Sequence, residues 1–224
     1  MRVCGPAVTM RLIAARSSER WEDDEFLGRD LIDIASPGDA LIFDVGGVFV
    51  KHREGTLPQF FLDRHTAPGD QVLNFYFGKH HDYERNRISS EEFFKQACNE
   101  AGYRGTYEEF EEDFCKAFEF EFDREMFDFF LKLKVRCVGE VEFWILSNVN
   151  EIHYRYWRRH WPGLFDNFWQ VFLSFELGER KPDPEIFKLV LETGQKTPYQ
   201  CVFVDDREEN GVYPKQIGMG LSII

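Results

Sequence analysis

No apolar run in the 224 residues approaches the ~20 needed to cross a bilayer as a helix, so a membrane-spanning helix is not expected. Cysteine is sparse and unpatterned: Cys4, Cys98, Cys115, Cys137 and Cys201 are odd in number and never form a Cys-x-x-Cys step. Neither a disulfide framework nor a zinc site follows from that spacing, and a reducing compartment suits it, so the expected location is cytoplasmic. Positive charge is in deficit as well. With 27 basic against 40 acidic residues the formal net charge is -13, and no basic patch of convincing size offsets it. Phosphodiester backbones and anionic membranes are repelled by such a surface, so no nucleic acid and no membrane is an expected partner. The nearest exception is "YRYWRRHW", Tyr154 to Trp161, which interleaves cations with aromatics. On a helix, however, Tyr154, Trp157 and Trp161 share one face and the arginines lie largely on another, which is an amphipathic helix.

Acidic residues are also missing from the first eighteen positions, where Arg2, Arg11 and Arg16 stand among serines. That is the composition of an organellar transit peptide, which would give an organelle-matrix location if residues 1-20 serve that role. The plainer reading is a disordered or mis-started amino terminus with Met10 as a second start. A short helix over "WEDDEFLGRDLIDIA" and a stop at "SPGD" would follow.

What the chain does have is a set of short apolar runs that each end on chemistry-bearing residues. "ALIFDVGGVFV", Ala40 to Val50, leads out of a buried strand onto Asp44 and then onto bare backbone at Gly46 and Gly47. "VEFWILSN" ends on Ser147 and Asn148, "VFLSFELGERKPDP" runs into Lys181, "CVFVDDREEN" ends on Asp205 and Asp206 with Asn210 beyond, and "GLSII" starts a fifth run. Helical patterns lie between them: Ile152 to Trp161, "PEIFKLVLETG", and "EENGVYPKQIG", the last weakened by Gly211 and Pro214. Strands alternating with helices predict an α/β fold, a doubly wound parallel sheet covered on both faces. Ligands of such sheets collect beyond the carboxyl ends of the strands, where Asp44, Ser147, Lys181 and the acid pair would converge. Each residue also has a plain structural role open to it: Asp44 as a turn cap, Ser147 and Asn148 as turn formers, Lys181 as a solvated cation, and Asp205 and Asp206 as helix caps.

From about Lys51 to Gly139 the texture changes to Phe and acids at helical spacing, with Phe110, Phe114 and Phe118 four residues apart. This predicts an all-helical insertion after the first strand, with the Phe stripe as packing rather than a ligand pocket.

In this order "FDVGGV", "ILSN", "RKPDPEIF" and "VFVDDREEN" resemble the four motifs of the haloacid dehalogenase (HAD) superfamily, over Leu41 to about Gly218. "YERNRIS", "SNVNEIHYRYW" and "FELGERKPDPEIF" resemble more closely the branch containing bacterial α-D-glucose-1-phosphate phosphatases. The resemblance implies a HAD-like, Rossmannoid core over 37-53 and 140-224, a helical cap over 54-139, and an amino-terminal extension over 1-36. It further implies a Mg²⁺-dependent phosphatase acting on a small phosphorylated metabolite, a sugar phosphate such as glucose 1-phosphate, through an aspartyl phosphate. Asp44 would be the nucleophile, and Asp44, the backbone carbonyl of Gly46, and Asp206 would hold Mg²⁺. Ser147 and the Asn148 amide would bind phosphoryl oxygens and Lys181 would neutralise charge, with Asp205 and Asn210 orienting the metal shell. Gly46 departs from the pattern, since most phosphatases of the superfamily carry there a second Asp that acts as acid and base. A catalytically weak or silent domain that binds a phosphorylated ligand or a protein partner is the alternative. Members also continue past the fifth strand, whereas this sequence reaches Ile224 while still apolar.

Overall fold

The computed structural model describes residues 38–52, 55–137 and 139–224. The extension over 1-36, with its transit-peptide, second-start and short-helix readings, lies outside the described residues.

Five strands form one wholly parallel sheet in the order β5-β4-β1-β6-β7: β1 Ala40–Phe43, β4 Glu142–Ser147, β5 Gln170–Leu173, β6 Cys201–Asp205 and β7 Gly220–Ile223. They are the five apolar runs read from the sequence. β1, β6 and all but the first residue of β4 are buried, as expected of strands with both faces covered. Alternation then sorts their side chains. Leu41, Phe43, Phe143, Ile145, Val202 and Val204 enter one cluster, while Ala40, Ile42, Trp144, Leu146, Cys201 and Phe203 enter another.

Helices fill the connections. The first group is α1 Gln59–Leu62, α2 Gly69–Glu84, α3 Ser90–Gln96, which runs on through a π-turn over Ala97–Ala101, α4 Tyr107–Ala117 and α5 Arg124–Arg136. The second is α6 Glu151–His160, α7 Pro162–Asp166, α8 Ser174–Leu177, α9 Pro184–Gly194 and α10 Val212–Gln216. α9 lays Ile186, Phe187 and Val190 on the second sheet cluster; α5 and α6 lay Phe129, Phe130, Leu133 and Trp157 on the first. After β6, where Gly211 and Pro214 weaken the pattern, the chain makes only a 3-10 turn, Glu208–Gly211, and the five-residue α10.

A third cluster lies in the helical insertion, where Phe61, Phe75, Tyr76, Phe93, Phe110 and Phe114 pack together. Stacking of Phe110 on Phe114 at 5.5 Å is the packing role read for the Phe stripe. Two features depart from an all-helical insertion. β2 Val50–Lys51 and β3 Glu121–Phe122 pair antiparallel where the chain leaves and re-enters the core, because the two crossings run side by side. And α5 packs on the sheet, with Phe130 stacked on Phe168 at 4.5 Å and edge-on to Phe43.

Candidate active site

β1 lies between β4 and β6, so the residues just past their carboxyl ends flank Asp44 from both sides. The Asp44 amide still donates to the Val204 carbonyl at 2.9 Å, which extends the β1–β6 ladder by one residue and fixes the carboxylate's base. Lys181, from the loop after α8, is completely buried and reaches the same point. Its ammonium lies 2.9 Å from Asp44 Oδ2 and 2.7 Å from Asp205 Oδ2, over the Phe203 ring. Asp205 is fully committed: Oδ1 accepts from the Arg207 amide and Asn210 Nδ2 at 2.9 Å each, and Oδ2 from Lys181 and again from Asn210. It therefore acts as an anchor for the lysine, held in turn by Asn210.

Asn148 fastens the lysine loop. Its Nδ2 donates to the Lys181 carbonyl at 2.9 Å and its Oδ1 accepts the Lys181 amide at 2.8 Å. The side chain is thereby occupied, and only main-chain groups of Asn148 face other uses. Ser147 is wholly buried at the end of β4, and its Oγ has no hydrogen-bond partner among the described residues. A buried hydroxyl in that state is costly unless something else satisfies it.

Charge is unbalanced here. Carboxylate oxygens of Asp44, Asp205 and Asp206 lie within 4.8 Å of one another. Burial, reinforced by the like charge of Asp205 and opposed by Lys181, pushes the Asp44 carboxyl up to about 7. Asp206 is raised too, by burial and then by Asp205. Burial disfavours the Lys181 ammonium, but its two carboxylates outweigh that and raise its pKa. Three acids, Asp44 and Asp205 buried and Asp206 half-buried, stand against one ammonium and present hard oxygens, the donor set that suits a small divalent cation such as Mg²⁺. With Asp205 committed, Asp44 and Asp206 are the carboxylates such a cation would use.

The two glycines have different reasons. Gly47 sits at φ +75°, and a Cβ there would lie 2.1 Å from Asp206 Oδ2, so the bare backbone is what lets this carboxylate close on the β1 loop. At Gly46 a Cβ would meet the His52 ring at 3.6 Å, an ordinary contact, so a Cβ has room.

A cavity of about 340 Å³ opens over these groups. Asp44, Gly46, Asn148, Lys181, Asp206 and Asn210 line its floor, and His80, His81, Glu84, Phe118 and Phe120 come from the insertion. Phe118, the last residue of the Phe stripe, thus serves the cavity wall as well as packing. Sequence reasoning singled out neither His52, His80, His153, Glu84 nor Arg180. Glu84 is buried between Arg180 Nε at 2.8 Å and His80 Nε2 at 3.0 Å, and Arg85 pairs with Asp183 and Glu179. Burial opposes ionisation of Glu84, but His80 and Arg180 together outweigh it and hold the carboxyl below its usual range. These pairs join α2 to the lysine loop. The signal for them was the charged "YERNR" and "GERK", which pair across 96 residues.

Among the described residues no helix is long and apolar enough to cross a membrane, and Cys98, Cys115, Cys137 and Cys201 are free thiols.

A curated D-ribitol-5-phosphate phosphatase from Bacteroides thetaiotaomicron is 29% identical over 185 residues, spanning 80% of this chain and 87% of that protein. A solved HAD-family enzyme from Bacteroides thetaiotaomicron, in its magnesium complex, superposes with a TM-score of 0.72 at 23% identity, covering 83% of this chain and 92% of that one. A HAD-like family hydrolase from Porphyromonas gingivalis does so with a TM-score of 0.68 at 22% identity, over 83% and 90%. At such identities the structures speak for the fold. The model of the haloacid dehalogenase-like hydrolases matches residues 39–212, more than three quarters of the sequence, and the chain belongs to that family.

Proposed function

We propose that the protein is a Mg²⁺-dependent phosphomonoesterase of the cytoplasm, acting on a small phosphorylated metabolite. The observation that carries this is the buried Asp44–Lys181–Asp205 line with Asp206 beside it, facing a cavity. Asp44 would attack phosphorus, forming the aspartyl phosphate as the bond to the leaving oxygen breaks. Lys181 would offset charge on the nucleophile and on the transferring group. Water would then attack phosphorus of this mixed anhydride, returning the Asp44 carboxylate and releasing inorganic phosphate. Ser147 Oγ, otherwise unpartnered, and the Asn148 amide would hold phosphoryl oxygens. Mg²⁺, held by Asp44, Asp206 and the Gly46 carbonyl, would supply Lewis-acid charge to the phosphoryl group. We read 54-139 as the cap over the core of 37-53 and 140-224.

For the leaving group we favour a sugar or sugar alcohol. Glucose 1-phosphate follows from the branch that the sequence resembles, and a pentitol 5-phosphate from the curated relative. Gly46 offers no carboxyl to protonate the departing oxygen, which favours the more acidic anomeric oxygen of a 1-phosphate. The same glycine supports the second reading, a silent domain that binds a phosphorylated ligand. A panel of p-nitrophenyl phosphate, glucose 1- and 6-phosphates and D-ribitol 5-phosphate, with Mg²⁺ and with chelator, separates the two. Hydrolysis that needs Mg²⁺ and is abolished in a folded Asp44→Asn variant is expected. Substantial turnover by that variant, or by metal-stripped protein, would overturn the aspartyl-phosphate mechanism, and absence of turnover on every substrate would favour the silent domain.

A further inference from the structure

Among the groups lining the cavity, His153 is set apart by having one ring nitrogen fixed and the other unused. Asn150 caps α6: its Oδ1 accepts the His153 amide at 3.0 Å, which settles the orientation of the Asn150 amide group. Its Nδ2 then faces His153 Nδ1, also at 3.0 Å. A carboxamide nitrogen only donates, so Nδ1 must be the lone-pair nitrogen and a neutral ring must carry its hydrogen on Nε2. That Nε2 is buried and has no hydrogen-bond partner among the described residues. The ring cannot drift to find one. Phe114 stacks on it at 4.5 Å, and Phe118 and Phe120 meet it edge-on at 4.5 and 4.8 Å. His153 is itself 4% exposed and contributes to the cavity wall with Phe118, Phe120 and Trp157.

A buried N–H donor without an acceptor is rare, because its lost hydration is not repaid. Here the residue that carries the donor lines a cavity that other observations already mark as a site. Burial drives the His153 pKa well below its ordinary value, with His80 and His52 adding like-charge repulsion, so the ring stays uncharged. An uncharged donor suits an uncharged oxygen better than a phosphoryl group, and the phosphoryl end of the cavity already has Lys181. Aromatic rings beside a fixed donor, with the Trp157 indole N–H a second buried donor without a partner among the described residues lining the same cavity, suit the C–H face and hydroxyl oxygens of a carbohydrate.

We propose that His153, locked by Asn150 as the Nε2–H tautomer, is a specificity residue that donates a hydrogen bond to a hydroxyl oxygen of a sugar or sugar-alcohol leaving group. The inference deepens the phosphatase reading and rests on it for substrate class.

Two measurements test it. In ¹⁵N-histidine-labelled protein, long-range proton–nitrogen spectra should show His153 protonated at Nε2 and bare at Nδ1 from about pH 5 to about pH 8. Adding glucose 1-phosphate or D-ribitol 5-phosphate with Mg²⁺ to the Asp44→Asn protein should shift the Nε2–H resonance. An Nδ1–H tautomer, an imidazolium in that range, or no shift with either phosphate would overturn the proposal. In the active protein, His153→Phe keeps the aromatic stack and removes the donor. It should lower kcat/KM for the better of those two phosphates, relative to phenyl phosphate, by ~10-fold or more, mainly through KM. His153→Gln, which retains an N–H donor, should recover part of that ratio. A ratio within about twofold of wild type in folded His153→Phe would overturn it too. Should wild type hydrolyse no phosphate at all, the phosphatase reading fails, and the binding spectra still decide the role of His153.

Discussion

Replacing Lys181 by Met removes an ammonium that stands 2.9 Å from one buried carboxylate and 2.7 Å from another. At an effective dielectric constant of ~20 each contact is worth ~5–6 kcal/mol of Coulomb attraction. Desolvation of the three charges cancels much of this, and breaking a buried ion pair by removing one partner costs ~3–5 kcal/mol. At ~2–4 °C per kcal/mol for a chain of this size, Tm should fall by ~6–20 °C. The deficit should also depend on pH in a definite direction. Asp44 already titrates up at about 7, and losing Lys181 pushes it higher. A carboxyl whose folded pKa lies above its unfolded value weakens the fold wherever it must ionise, and the penalty fades once it is protonated. The loss should therefore be largest near pH ~8 and smaller near pH ~6. Thermal unfolding of both proteins in chelator, so that no divalent cation replaces the ammonium, reads this directly. Hydrolysis should fall at least ~10²-fold in parallel. A variant within ~2 °C of wild type near pH ~8 and within about twofold in rate would return Lys181 to a bystander.

Gly47→Ala adds a Cβ 2.1 Å from Asp206 Oδ2 at φ +75°, which costs ~1–2 kcal/mol in backbone strain and displaces a carboxylate proposed to hold Mg²⁺. Calorimetric titration should show Mg²⁺ affinity down by about tenfold or more; unchanged affinity would refute the assignment of Asp206. For Glu84, held below the usual carboxylate range, the link from α2 to the lysine loop is intact above the ordinary carboxylate pKa and is lost as pH falls through the lowered value. Glu84→Gln should show at neutral pH the lowered protection of α2 expected of wild type only in acid, and equal protection in both would refute the link. Gly46→Asp, which has room for its Cβ, should accelerate glucose 6-phosphate hydrolysis more than that of p-nitrophenyl phosphate; equal acceleration would refute the leaving-group argument.

Strand ends were legible because burial on both faces leaves a continuous apolar signal, as in Ala40–Phe43 and Cys201–Asp205, and the first polar residue after it marks the sheet edge. The order of those edges then brings Asp44, Lys181 and Asp205 together. β2 and β3 went unseen, since two residues each is too short for any period. Glu84 with Arg180 and His80 went unseen for another reason. Charged residues in a helical insertion ordinarily read as a solvated face, and only the docking of α2 on the lysine loop buries them. His153 looked like one more residue of an amphipathic helix until the Asn150 cap fixed its tautomer.

The adjacent glycines show what conformation adds to composition. In sequence Gly46 and Gly47 are the same feature, bare backbone after a strand-end Asp. In the fold Gly47 is favoured strongly, because its positive φ strains any side chain and a Cβ there would displace Asp206. Gly46 is not obligatory: its backbone is unstrained and a Cβ would touch only His52, at an ordinary distance. Steric necessity thus accounts for one glycine and leaves the other to chemistry. At the position where most phosphatases of the superfamily place an acid, this chain has space for a Cβ and carries none. On the proposed mechanism the leaving oxygen would then depart as an oxyanion stable enough to need no acid, or take its proton from solvent. On the proposed mechanism the missing acid would slow hydrolysis of simple alkyl phosphates and sort substrates by leaving-group acidity, while His153 would sort them by a hydroxyl placed to accept its Nε2–H.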